Sequence, residues 1–222
     1  MKSPQPTPRH RIFLVDDHPI VLGGFTLLLN GQPDLEVCGT APSAEEALEK
    51  APKLQPALVI TDVTLPGRSG LDLVKDLATV LPDASVLVVS MHDEMLYAER
   101  ALRAGARGYL MKEAGSERML AAIRQVLAGR VYVSDRIQAR ILDGLSAPHR
   151  RGSESLIEKL SDREFEVFRL LGQGRSTKEI AGQLHLSHKT VAVHRGHIKQ
   201  KLGIASATEL VHQAVRWVES HP

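Results

Sequence analysis

The chain has 222 residues, 43% of them hydrophobic, and its 28 Lys and Arg against 26 Asp and Glu leave a formal charge of +2. That length suits one large domain or two modest ones, and the apolar content excludes wholesale disorder. No apolar run is long enough to cross a bilayer, and the single cysteine, Cys38, excludes an internal disulfide and suits a reducing compartment.

Residues 1–10 are polar and proline-spaced and read as a disordered tail. They lack the apolar core of a signal peptide, which points to a cytoplasmic chain. From 11 to 130 two patterns alternate. Short β-branched runs at 12–15, 35–39, 58–61, 86–89 and 108–110 predict strands. Helical patterns near 19–29, 44–50, 71–81, 94–103 and 117–128 lie between them. Five strands alternating with five helices imply an α/β fold, a doubly wound parallel (βα)5 sheet covered on both faces. Cys38 lies in the apolar run 35–39 and reads as buried filler.

After residue 130 the strand signal stops. Residues 131–157 read as a linker, with a short helix at 135–145 followed by a polar stretch with Pro, Gly and Ser. From 158 to 220 only helices are expected, an all-α four-helix unit. Ser161 with Glu164, Ser176 with Glu179 and Ser206 with Glu209 each have the spacing of a capping box. Charge divides along the same line. Residues 1–149 hold 16 Lys and Arg against 18 Asp and Glu, whereas residues 150–222 hold 12 against 8, which hints at a polyanionic partner for the second part.

In a doubly wound sheet, ligands gather at the carboxyl ends of the strands. There the sequence places Asp16 and Asp17, Asp62, Ser90, Tyr109 and Lys112. Crowded carboxylates repel unless a cation joins them, and hard oxygen ligands suit Mg²⁺, with Asp16, Asp17 and Asp62 as its candidate ligands. An Asp held beside a metal can attack a phosphoryl group, and an ammonium helps neutralise the phosphoryl oxygens.

The segments Val15-Asp16-Asp17-His18-Pro19, Asp62-Val63-Thr64-Leu65-Pro66-Gly67-Arg68-Ser69-Gly70, Val89-Ser90-Met91 and Gly108-Tyr109-Leu110-Met111-Lys112 resemble, in order, the receiver signature of two-component signalling. The resemblance implies that Asp62 is the phosphoacceptor, with Asp16 and Asp17 on the metal. It makes Ser90 the donor to the phosphoryl group, Lys112 its ion partner, and Tyr109 the aromatic that moves inward with Ser90. Two positions set this chain apart. Glu113 stands where many receivers have proline, and Thr64 occupies a position that varies in the family and bears on phosphoryl lifetime.

In the second part, two predicted helices, 161–171 and 176–184, precede a four-residue turn and a third helix capped by Ser187. That is helix-turn-helix geometry, with the last of these as the candidate recognition helix. Val191, Ile198 and Leu202 share its inward face. Lys189, Val193, Gly196 and Gln200 lie opposite, and its first turn has no acid, leaving the N-terminus free to meet a phosphate. His185, His188, His194 and His197 have no cysteine or acid in metal spacing and read as cationic groups rather than zinc ligands. Trp217 reads as packing for the last helix, whose surface could serve dimers or the core.

Leu160-Ser161-x-Arg163-Glu164-x-Glu166-Val167, Gly174-x-x-Thr177-Lys178-Glu179-Ile180-Ala181 and Leu186-Ser187-x-x-Thr190-Val191-x-x-His194 resemble the LuxR-type DNA-binding domain. With the receiver, they identify the chain as a member of the NarL/FixJ response regulators. The resemblance implies a non-enzymatic transcription factor that takes its phosphoryl group from a sensor histidine kinase and binds double-stranded DNA. It also implies a homodimer when phosphorylated or DNA-bound, and no membrane partner. By analogy Lys178, Thr190, His194 and Lys199 touch phosphates, while Ala192, Val193 and Gly196 face base edges with Lys189 nearby. Ala192 and Gly196 replace lysines of many relatives and cannot make bidentate contacts to guanine. Two other readings stay open: a metal-dependent phosphotransferase acting on outside substrates, and a constitutive DNA-binding protein whose unphosphorylated receiver is a dimerisation scaffold.

Overall fold

The computed structural model describes residues 9–146, 154–157 and 159–220, so nearly all of the expected tail and the middle of the expected linker lie outside the described residues. The chain divides into two compact units, residues 1–144 and 145–222.

The first unit alternates β1 (His10–Val15), α1 (Pro19–Asn30), β2 (Leu35–Ala41), α2 (Ala44–Leu54), β3 (Leu58–Thr61), α3 (Gly70–Val80), β4 (Ser85–Ser90), α4 (Glu94–Ala104), β5 (Gly108–Met111) and α5 (Gly115–Leu127). All strand pairs are parallel, in the order β2-β1-β3-β4-β5. Strand side chains alternate between faces. Ile12, Leu14, Leu58, Ile60, Leu87, Val89 and Leu110 point to one side, where they bury Met119, Ala122, Ile123 and Val126 of α5. Phe13, Val59, Val86, Val88 and Tyr109 take the other side, and all are buried. Helix starts follow local chemistry: Pro19 opens α1, and Ser43, Ser69 and Asp93 cap α2, α3 and α4 by accepting backbone N–H groups. Cys38 is only partly buried, and its thiol donates to the Ile12 carbonyl.

The helix expected in the linker forms as α6 (Asp135–Ser146). Through residue 144 it belongs with the first unit. Tyr132 bridges to Gly108 at the edge of β5, Val133 and Ile137 are buried, and Arg140 reaches the Met95 carbonyl and Glu99 of α4.

The second unit has a short turn of helix, α7 (Glu154–Ile157), followed by α8 (Asp162–Gly172), α9 (Thr177–Gln183), α10 (His188–Leu202) and α11 (Ala207–Ser220). Ser161 with Glu164 and Ser176 with Glu179 form complete capping boxes. Trp217 stands edge-on to Phe165 and Phe168, 5.4 and 6.0 Å away, and joins α11 to α8. Gly172 lets the two helices approach, since a Cβ there would lie 2.4 Å from the Ala214 carbonyl oxygen. The buried Arg163 guanidinium pairs with the buried Glu166 at 2.6 Å and donates to the Leu184 carbonyl, fixing the end of α9 against α8. Among the described residues, no helix is long and apolar enough to cross a membrane.

Removing the Glu166 carboxyl takes a 2.6 Å hydrogen bond from the buried Arg163 guanidinium, and a hydrogen bond to a charged group is worth about 1.5–3 kcal/mol. Glu166→Ala is expected to lower the stability of the second unit by that amount and to leave the first unit's transition in place. Denaturant unfolding of the full chain, followed by Trp217 fluorescence for the second unit and by Tyr absorbance for the first, checks this.

Candidate functional site

The ends of β1, β3, β4 and β5 bring the predicted residues together. Asp16 and Asp17 follow β1, Asp62 follows β3, Ser90 ends β4, and Lys112 follows β5 in a single 3₁₀ turn, Lys112–Ala114, that Glu113 accommodates. Asp16, Asp62 and Ser90 are buried. The Lys112 ammonium sits between two carboxylates, 2.5 Å from Asp16 Oδ2 and 2.6 Å from Asp62 Oδ2. The other oxygen of Asp62 accepts from Ser90 Oγ at 2.5 Å, Val63 N at 2.6 Å and Thr64 N at 3.4 Å. Gly70 closes the loop behind Asp62: its N–H donates to the Val63 carbonyl, and a Cβ there would lie 1.7 Å from the Asp62 carbonyl oxygen. Only glycine fits.

Burial works against the Lys112 ammonium, but the Asp62 charge and the hydrogen bonds to Asp16 and Asp62 outweigh it and hold its pKa above the ordinary lysine value. The remaining acidic demand lies at Asp16 and Asp17. His18 Nδ1 stands 3.2 Å from Asp16 Oδ1 and 2.7 Å from Asp17 Oδ1, and these three residues are close enough to share one ion. The imidazole is largely exposed while both carboxylates are nearly covered. Hard, covered oxygens whose present partner can swing into water fit a Mg²⁺ ion.

Tyr109 is already inside. Its ring is buried, and its hydroxyl donates to the His92 carbonyl at 2.7 Å. Burial pushes the phenol well above its ordinary pKa, so it is a neutral donor. His92 is a residue that sequence reading passed over. Its Nε2 lies 2.7 Å from Thr64 Oγ1, its ring stacks on Tyr97 of α4, and its N–H points to Ser90 Oγ at 3.4 Å. His18 lies within the first signature segment, but nothing in the sequence marks it as a partner of both acids. Each signal was positional only: His92 two residues after Ser90, His18 next to Asp17.

In the second unit the expected DNA-facing residues lie on α9 and α10. Lys178, Lys189, Ala192, Val193 and Gly196 are exposed, while Thr190, His194 and Lys199 are partly buried. Val193 is an exposed large apolar side chain at 47%, and open space surrounds Gly196. Ser187 caps α10 through the Thr190 N–H, and its hydroxyl also bonds Thr190 Oγ1 at 2.7 Å. Arg195, not singled out from sequence, ties α10 to α9 through Thr177 Oγ1.

Comparison with known proteins follows this division. The profile of the response regulator receiver domain matches residues 12–124, and that of bacterial regulatory proteins of the luxR family matches residues 158–214. The chain is 35% identical to the oxygen regulatory protein NreC of Staphylococcus carnosus (strain TM300) over 210 residues, covering 93% of this chain and 97% of that protein. Among solved structures it resembles RcsB of Salmonella typhimurium (25% identity, TM-score 0.63, 95% of this chain and 98% of that one). It also resembles RcsB of Salmonella enterica serovar Typhimurium bound to promoter rprA in the presence of the phosphomimetic BeF3⁻ (26% identity, TM-score 0.61, 92% and 97%).

Because Lys112 holds its proton more tightly in the folded chain, its stabilising contribution is complete below pH 10.5 and is lost as pH rises past its folded-state value. Lys112→Met is therefore expected to destabilise the first unit at neutral pH, by a margin over wild type that narrows above pH 10.5. Urea unfolding of both chains across alkaline pH measures that margin.

Proposed function

The chain belongs to the response regulators with a LuxR-type output domain, and from that premise we propose that phosphorylation of Asp62 by a sensor histidine kinase controls its binding to DNA. The observation that supports this most is the Asp62 carboxylate itself, held at one oxygen by Ser90 and at the other by Lys112 beside two further acids. Asp62 attacks the phosphorus of the phosphohistidine, the new O–P bond forms, the P–N bond breaks, and the imidazole leaves with the electron pair. Asp16, Asp17 and Asp62 would hold Mg²⁺, which when bound neutralises charge on the phosphoryl oxygens. Ser90 Oγ then donates to a phosphoryl oxygen instead of Asp62, and Lys112 pairs with another. The substrate is the chain's own carboxylate, so the protein acts as a regulator rather than an enzyme.

The route outward begins at Ser90. Its loop carries His92, whose carbonyl holds Tyr109 and whose ring rests on Tyr97 of α4. From α4, Glu94 accepts from Ser134 Oγ at 2.7 Å, while the Met95 carbonyl and Glu99 hold Arg140. A change at Ser90 is thereby delivered to α6, the last described helix before the second unit. This is a two-state element biased by local charge. Phosphorylation favours a homodimer whose two recognition helices meet double-stranded DNA in adjacent half-sites. Support comes from the RcsB structure bound to a promoter with a phosphomimetic. A cytoplasmic location follows from that role.

Intact mass after acetyl phosphate and Mg²⁺ tests the first step. One phosphoryl adduct is expected in wild type, and none in Asp62→Asn or with EDTA; no adduct in wild type would leave only the scaffold reading. The outward route has its own test. The Arg140 contacts are exposed and contribute little to stability, so Arg140→Ala should fold and take up the phosphoryl group normally. The ratio of DNA affinities with and without phosphorylation, a coupling of about 1–3 kcal/mol in such systems, is expected to shrink at least several-fold in gel shifts. An unchanged ratio would place the route elsewhere.

A further inference from the structure

A second cluster of metal-ligating groups lies in the C-terminal unit, away from the acidic crevice. Glu164 in the first turn of α8 and His194 and His197 on α10 each place one donor atom within 4.8 Å of the others. The two histidines are three residues apart on one helix, which puts them on the same face. Glu164 reaches them only through the packing of α8 on α10.

The two oxygens of Glu164 have different roles. Oε2 accepts from Ser161 N at 2.8 Å and from Lys201 Nζ at 2.6 Å, completing the helix cap. Oε1 faces His197 Nδ1 at 3.7 Å, too far for a hydrogen bond. His194 Nδ1 is buried and makes no hydrogen bond. Burial, helped by the Arg163 charge, holds the His194 imidazole below its ordinary pKa. The Glu164 side chain is 6% exposed and that of His197 57%, so an ion can enter from the His197 side.

Two imidazoles and a carboxylate suit a borderline dication with water as fourth ligand, and do not suit Mg²⁺. We propose that Glu164, His194 and His197 form a binding site for Zn²⁺ or a similar transition-metal dication, distinct from the carboxylate site of the receiver. Lys201 does not block it. Its ammonium sits on the other oxygen of Glu164, is 40% exposed, and can turn into water when the ion enters. The ion would fasten the start of α8 to the middle of the recognition helix, giving that helix a metal-dependent input separate from Asp62.

The test is calorimetric titration of the full chain with Zn²⁺ in excess Mg²⁺, which keeps the receiver carboxylates occupied, comparing wild type with His197→Gln and Asp16→Asn. His197 is exposed, so its variant is expected to keep the fold. Wild type and Asp16→Asn should bind with equal affinity, and His197→Gln at least about tenfold more weakly, since changes even to groups behind metal ligands cost 10–100-fold. An ion that binds only the folded state also raises the Tm of the second unit, and His197→Gln should lose that rise. Undiminished Zn²⁺ affinity in His197→Gln, binding lost in Asp16→Asn, or no binding by wild type would each overturn the proposal.

Discussion

The first unit depends on one ammonium. Three carboxylates at the ends of adjacent parallel strands would repel one another in a setting with little water, and two of them, Asp16 and Asp62, are buried. Lys112 stands between those two and reaches them from β5, across the sheet from β1 and β3. It therefore acts as an electrostatic clasp on three strands and fixes the position of Asp62. Gly70 and the amides of Val63 and Thr64 complete the fixing from the loop side. On the proposed reading, Asp62 held this way meets its phosphodonor already in position.

The same arrangement limits how a signal can leave. Ser90 has one proton to donate, and in this structure it goes to Asp62. A phosphoryl group would compete for that proton and for Lys112. Moving a two-state equilibrium from 1:99 to 99:1 takes about 5.5 kcal/mol of differential interaction, and a hydrogen bond to a charged group is worth about 1.5–3 kcal/mol. Ser90 and Lys112 already bond Asp62, so redirecting their two bonds contributes the difference between the two partners, a part of that amount, and the bound metal and the loop supply the rest. The neighbouring Tyr109–His92 contact then matters as the point where that redirection meets α4. Its phenol donates to a backbone carbonyl, so the loop cannot shift without carrying the ring.

The parallel sheet could be read from sequence because each strand is a short β-branched run and each helix keeps its period. The crevice was legible for a related reason: topology sends every strand's carboxyl end to the same edge, so Asp16, Asp62, Ser90 and Lys112 meet whatever the loops do. Residues outside that rule stayed hidden. His92 bonds Thr64 across 28 positions, and nothing in either neighbourhood marks the pair. The sequence predicts the helix at 135–145 but not its seating, which depends on Arg140 and Ser134 finding partners on α4. Glu164 was legible as a helix cap, and that local role concealed its nearness to His194 and His197. Cys38 reads as core from its apolar neighbours, yet β2 is an edge strand and leaves it partly covered.

On the proposed function, the recognition helix is what the receiver acts on. On the proposed reading its base-facing positions are Ala192, Val193 and Gly196, which carry no hydrogen-bonding side-chain group between them. Readout by one helix then rests on Lys189, on apolar contact, as between Val193 and a thymine methyl, and on DNA shape. Thr190, whose hydroxyl already bonds the Ser187 cap, has little left for bases. On the same reading, phosphate contacts from Lys178, Thr190, His194 and Lys199 supply affinity but carry no sequence information directly. A single unit should therefore bind DNA with little discrimination, and two held at a fixed spacing should discriminate much better, because both half-sites must fit together. Sequence preference becomes a property of the pair, so a phosphoryl group that governs pairing governs where on DNA the protein is found as well as how tightly it binds.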